Sequence, residues 1–271
     1  MSTFWKVPFL EMASNVWSLE EEKWIDDSPR FEDIDLLKKE AKGKSIIDGA
    51  NLRDEMVKMW EHKEVNLRIR ELPGRTRLVF LGTDEQWNQI PWTLWSRIFQ
   101  AIGPVGYVLF YAHPLKREYP QTNIAIGPNN INAGYSYICD QKLVVVYRFE
   151  EATRVLLHEM LHTVCFDKEK ATEDLEASTE AWTEVLLCSL LSKGKIGKFN
   201  ILWKKQCKWI LQQVIYLKQN YNVNSPAEYA WRYTVGKYEV LKNLGFLEDC
   251  KIDKMEVGLR FTTPELDVEM Y

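Results

Sequence analysis

Apolar and polar positions along this chain follow two periods, and the switch between them divides it. Short apolar runs at 77–82 (RLVFLG), 106–112 (GYVLFYA), 122–126 (TNIAI), 134–139 (GYSYIC) and 142–148 (KLVVVYR) read as strands, with 91–102 (PWTLWSRIFQAI) as a helix between the first two. Asp140-Gln141 is placed to turn a hairpin between the last two strands. After Phe149 the period lengthens to about 3.6 residues, and 153–166 predicts a helix. Val155, Leu156, Leu157, Met160, Leu161 and Val164 give it apolar surface nearly all round, as a helix buried within a domain requires. Glu150 and Glu151 stand at its start, where carboxylates favour the positive end of the dipole. Further helices are expected at 173–192, 198–220 and 226–244, with a loop at 222–226 and a polar stretch beyond 250. Residues 1–70 are charged and aromatic, with helix-compatible stretches at 31–42 and 50–64, and Pro73-Gly74 marks a turn. The expectation is an α+β fold in which a small mixed sheet precedes a buried helix and a mostly helical C-terminal half. Residues 1–74 would form a helical or irregular arm or cap on a body spanning 75–271.

Composition narrows the classes. Apolar residues make up 46% of the 271 and charged residues 27%, the balance of a soluble globular chain. A net charge of −4 gives no basic surface for nucleic acid, so no nucleic-acid partner is expected. No run approaches the roughly 20 apolar residues of a membrane span, and Pro8 and Glu11 interrupt the N-terminal apolar patch before a signal sequence can form. Cys139, Cys165, Cys188, Cys207 and Cys250 include no C-x-x-C pair; they read as unpaired, buried thiols of a reducing compartment, which points to the cytoplasm. The eleven tryptophans are expected to fill cores.

One pentapeptide carries chemistry. His158-Glu159-Met160-Leu161-His162 takes two of the four histidines in the chain. On a helix, positions four apart stand about 6 Å along the axis and about 40° around it, so both imidazoles face one side and can bridge one Zn²⁺. Glu159 sits beside that face, where it can take a proton from a water on the metal. A catalytic zinc needs a third protein ligand and an open position. The stretch EDLEASTEAWTE offers Glu173, Glu176, Glu180 and Glu184 for it. His62 and His113 lie outside this constellation and read as structural.

With that spacing the chain resembles the gluzincin branch of the zincin metallopeptidases, the thermolysin-like and aminopeptidase-like enzymes, over about 50 residues from Asn132 to Glu184. The resemblance implies a zincin-like fold and one zinc per chain. In that branch a glutamate some 18–20 residues beyond the second histidine completes the site; Glu180, 18 positions after His162, matches it, with Glu176 the alternative. Glu184, one turn later, takes the place of the outer carboxylate that orients the first histidine. Asn132-Ala133-Gly134-Tyr135, 26 residues before His158, resembles the opening of the edge strand on which such enzymes lay an extended substrate, with Gly where the family has a bulky residue. The family also supplies a donor to the developing oxyanion. No histidine follows His162, so Tyr229, Arg232, Tyr233 and Tyr238 are the substitutes in type and position.

The resemblance therefore implies a zinc metallopeptidase hydrolysing peptides or proteins, with His158, His162 and Glu180 as ligands and Glu159 as general base. No Gly-Ala-Met-Glu-Asn exopeptidase signature stands beside the edge strand, which favours an endopeptidase over an aminopeptidase. A zincin-like structural or interaction protein with a non-catalytic or latent zinc is the alternative. In it residues 1–74 would meet an assembly partner or cover the cleft.

Overall fold

The computed structural model describes residues 4–43, 46–166, 172–252 and 255–269. In chain order its main elements are α1 (Val7–Ser18), β1 (Ile25–Asp27), α2 (Phe31–Lys42), α3 (Leu52–Glu61), β2 (Asn66–Leu72), β3 (Thr76–Gly82), α4 (Asp84–Asn88), α5 (Trp92–Ile102), β4 (Tyr107–Tyr111), α6 (Pro128–Ile131), β5 (Gly134–Ser136), β6 (Leu143–Val146), α7 (Ala152–Thr163), α8 (Thr172–Ser192), α9 (Ile196–Tyr221) and α10 (Val235–Asn243). The fold is α+β, with one mixed sheet and a mostly helical C-terminal half. Two compact units share it: a sheet unit of residues 21–116 and 132–166, and a helical unit of residues 1–20, 117–131 and 167–271.

In the sheet unit the strand order is β1-β2-β3-β4-β6-β5. β3, β4 and β6 run parallel, and 78–81 of β3 with all of β4 and β6 carry the apolar sequence of strands covered on both faces. Their odd positions Val79, Leu81, Leu109, Tyr111 and Val145 join Leu37 of α2 and Leu52, Met56 and Val57 of α3 in one core. The alternate positions face an aromatic group: Phe80 stacks edge-on to Phe110 at 5.4 Å, and Trp95 of α5 lies 5.8 Å from Phe110. Trp95 Nε1 also donates to Thr153 Oγ1 of α7 at 2.9 Å, which fixes α5 and α7 on that same side.

Three expectations change here. Residue 74, expected as a boundary, is the turn of the β2–β3 hairpin, where Gly74 takes φ +71° at no steric cost. The strand expected at 122–126 is absent; after Pro120 the amide of Ile124 closes a turn on the Gln121 carbonyl at 2.8 Å and is spent locally. The five cysteines are not all free, because Cys139 and Cys165 form a disulfide. Cys188 and Cys207 are free and buried, and burial pushes both thiols up. Among the described residues no helix is long and apolar enough to cross a membrane.

In the helical unit α8 packs against α1, α9 and α10. Trp5 stacks on Phe246 with centroids 3.9 Å apart and meets Phe199 and Trp203 edge-on, so the tryptophans here do fill a core.

Candidate metal centre

Helix α7 sets out the central residues of the candidate site. All twelve of its residues are buried, so its polar side chains act away from bulk water. His158 and His162 stand one turn apart with rings at 83°, and their Nε2 atoms are 3.1 Å apart. Two imidazole nitrogens this close share either a proton or a cation. A tetrahedral zinc with Zn–N bonds of about 2.0–2.1 Å spans two nitrogens about 3.3 Å apart. The donor pair therefore fits the ion in type and in spacing.

Strand β5 supplies the wall beside Glu159. It is the last strand of the sheet, antiparallel to β6 in the register Gly134↔Val146, Tyr135↔Val145 and Ser136↔Val144. Gly134 faces α7 at a distance no larger residue tolerates: an added Cβ would fall 2.5 Å from Val155 Cγ1 and 2.7 Å from the Val145 carbonyl. This accounts for Gly where the resembling family carries bulk. Two positions on, hence on the same face, Ser136 places its hydroxyl 2.9 Å from Glu159 Oε2 and 2.9 Å from the Glu159 carbonyl.

The other residues of the expected edge segment are tied into the sheet unit. The Asn132 carbonyl accepts from Arg148 Nε at 2.9 Å, and its side-chain amide donates to the Ile47 carbonyl at 3.2 Å. Ala133 is buried, with its carbonyl taking the Tyr147 amide at 2.7 Å. Tyr135 points to the opposite face, where its hydroxyl donates to Glu40 and receives Arg53, both at 2.6 Å. Burial foremost, then the hydrogen bond to Glu40, raises that phenol far above the usual tyrosine range.

The disulfide is built onto the same corner. The amides of Cys139 and Cys165 both donate to the carbonyl of His162, at 2.9 and 3.2 Å, and both residues take φ 60°. That shared acceptor is the physical reason two cysteines 26 positions apart meet. Both are solvent-exposed.

The expected carboxylates of α8 belong to the helical unit, where the side chain of Glu173 is outside the described residues. Glu184 is fully buried; Lys237 donates to its Oε1 at 2.8 Å and Gln206 to its Oε2 at 2.9 Å. Lys237 Nζ also stands 3.8 Å from Glu180 Oε2. Glu176, one turn earlier, is half-buried. Tyr229 and Tyr233 touch through their hydroxyls at 3.1 Å, Tyr233 stacks on Phe261, and Arg232 lies over the Tyr229 ring. Burial, followed by the charge of Glu176, holds the Tyr233 phenol well above its ordinary range, so it remains an O–H donor. Tyr238 is half-buried, and His62 is exposed.

Sequence reasoning passed over Ser136, Lys237 and Gln206. Ser136 had a signal: it follows Gly134 by two and so shares its face. Lys237 and Gln206 had none, since each gains its role from partners 53 and 22 positions away. Comparison with known protein families, with curated proteins and with solved structures found no match for this chain.

Proposed function

We propose that this chain is a zinc-dependent peptidase of zincin-like architecture, in which His158 and His162 hold the ion and Glu159 is the general base. The observation that carries the reading is the pair of Nε2 atoms 3.1 Å apart on a buried helix, with Glu159 between them in sequence. Zinc, when bound, lowers the pKa of a coordinated water and polarises the substrate carbonyl. Glu159 would be the general base there, its carboxylate accepting a proton from the attacking water and returning it to the leaving nitrogen. The third ligand comes from α8 by sequence spacing, with Glu180 matching the resembling family and Glu176 the alternative. β5, as an edge strand, offers backbone groups to an extended peptide. Tyr229, Arg232 and Tyr233 are the candidates to meet the oxyanion.

The test combines metal content with turnover. Wild type should hold one zinc per chain and cleave a mixture of free and N-terminally blocked peptides, the blocked ones reporting endopeptidase action. Glu159→Gln should keep the zinc and lose turnover by at least about a hundredfold, whereas His158→Ala should lose both. Glu180→Ala and Glu176→Ala, compared for zinc content, identify the third ligand. Undiminished cleavage by Glu159→Gln removes the mechanism. Stoichiometric zinc without cleavage of any peptide would instead favour a structural or interaction role for the chain.

A further inference from the structure

The neighbourhood of Glu159 contains a residue that the reaction outlined above does not yet use. Ser136 closes strand β5, and its side chain shares a face with that of Gly134, toward α7. Its hydroxyl hydrogen has two acceptors at 2.9 Å, the carboxylate oxygen Oε2 and the main-chain carbonyl of the same residue, Glu159. Neither acceptor carries a hydrogen when the carboxylate is ionised, so the serine must be the donor.

From this we infer that Ser136 is the positioning residue of the general base, an inference that rests on the peptidase reading. The physical case is one of freedom removed. A glutamate side chain has three rotatable bonds, and a general base that must reach one water loses rate for every rotamer that points elsewhere. The single hydroxyl hydrogen is shared between Oε2 and the Glu159 carbonyl, both 2.9 Å away, so the serine holds the far end of the side chain close to the backbone of its own helix turn.

Gly134 is the condition for this arrangement. Val155 Cγ1 and the Val145 carbonyl would lie within 2.7 Å of an added Cβ, and Glu159 Cγ within 3.3 Å, so only glycine lets the strand come close enough for a side chain as short as serine to span the gap. The pairing Gly134↔Val146 and Ser136↔Val144 locks the register, because a slip by one residue would exchange the faces, sending Ser136 to the side Tyr135 occupies and Tyr135 toward α7. Strand and base are thereby coupled: a peptide laid along β5 binds the element that aims Glu159.

Ser136→Ala and Ser136→Thr in the 271-residue chain, each with its Glu159→Gln counterpart, test the inference, read in two ways. The first reading is the carboxylate infrared band of Glu159, isolated as the difference between a protein and its Glu159→Gln counterpart, which needs no substrate. Ser136→Ala should shift this band relative to wild type, and Ser136→Thr, which keeps the hydroxyl, should restore it. The second reading is kinetic. Ser136→Ala should lower kcat roughly ten- to a hundredfold with KM within about twofold and zinc content unchanged, and Ser136→Thr should recover most of the loss. Coincident bands in wild type and Ser136→Ala overturn the inference even if the chain proves inactive. An equal kcat overturns it if the chain is active, and in that case the peptidase reading stands. A band shift in a chain that cleaves no peptide keeps the Ser136–Glu159 contact and rejects the peptidase reading instead.

Discussion

At the scale of single residues, the sheet unit holds a histidine whose charge the fold opposes. His113 Nδ1 accepts the amide of Leu115 at 3.0 Å, so the proton of the neutral ring sits on Nε2, 3.4 Å from Glu55. Burial lowers its pKa below the ordinary 6.5, and Glu55 offsets only part of this. Protonating Nδ1 would also break the bond from Leu115. Because the folded value lies below the unfolded one, the unfolded chain binds more protons in the interval between them. The stability His113 contributes is therefore complete above pH 6.5 and is lost as pH falls through its folded pKa. Urea titrations at pH 7.5 and pH 5.5 should show wild type losing more stability on acidification than His113→Gln, by at most about 1.4 kcal/mol per pH unit of interval. Equal losses in the two proteins would refute this account. The residue scale is also where sequence reading reached furthest, since the His158 and His162 pair is recognisable from spacing alone. Lys237 and Gln206 were hidden because an ammonium or amide acquires a role only from what the fold sets beside it.

At the scale of elements, what was legible follows from covering. Residues 78–81 of β3, together with β4 and β6, are apolar without interruption because helices pack on both faces, and such runs announce themselves. β1 (IDD) and β2 (NLRIREL) did not, because they form the charged side of the sheet, where Arg70 pairs with Asp26 across the strands and Arg77 of β3 grips the buried Asp33 of α2 through two nitrogens. Burial works to raise the Asp33 carboxyl, yet the hydrogen bonds from Arg77 hold it below its usual range. The strand expected at 122–126 has the right composition but pairs with no strand among the described residues, and the Ile124 amide bonds within a turn. The disulfide was illegible for a related reason: it depends on two left-handed turns converging on one carbonyl. It ties the chain after β5 to the chain after α7, closing a separation of 26 residues. Non-reducing digests should recover Cys139 linked to Cys165, and reduction should lower stability by about 3 kcal/mol. Alkylation of both cysteines in the untreated protein would show the link to be missing.

At the scale of the whole molecule, the N-terminal residues decide between two pictures of regulation. An arm or cap over 1–74 would be removable, and trimming it would expose a latent site. The structure instead spreads those residues over two cores. Residues 1–20 belong to the helical unit, where Trp5 stacks on Phe246, Lys6 pairs with Glu248 at 2.8 Å, and Leu10, Ala13 and Val16 are buried. Residues 21–74 supply β1, α2, α3 and β2 to the sheet unit, with Leu37, Leu52, Met56 and Val57 in its core. Each segment removed would thus open a hole in the unit it serves. Truncating Trp5 to alanine should cost roughly 3 kcal/mol, the lower end for a large aromatic side chain, and deleting residues 1–20 should cost more. The shortened chain should show a depressed melting temperature and lower helical circular dichroism at 222 nm, with no gain in peptide cleavage. A chain lacking residues 1–20 that melts like the full one and cleaves faster would establish the latent form, because loss of folding and release of activity cannot come from the same deletion.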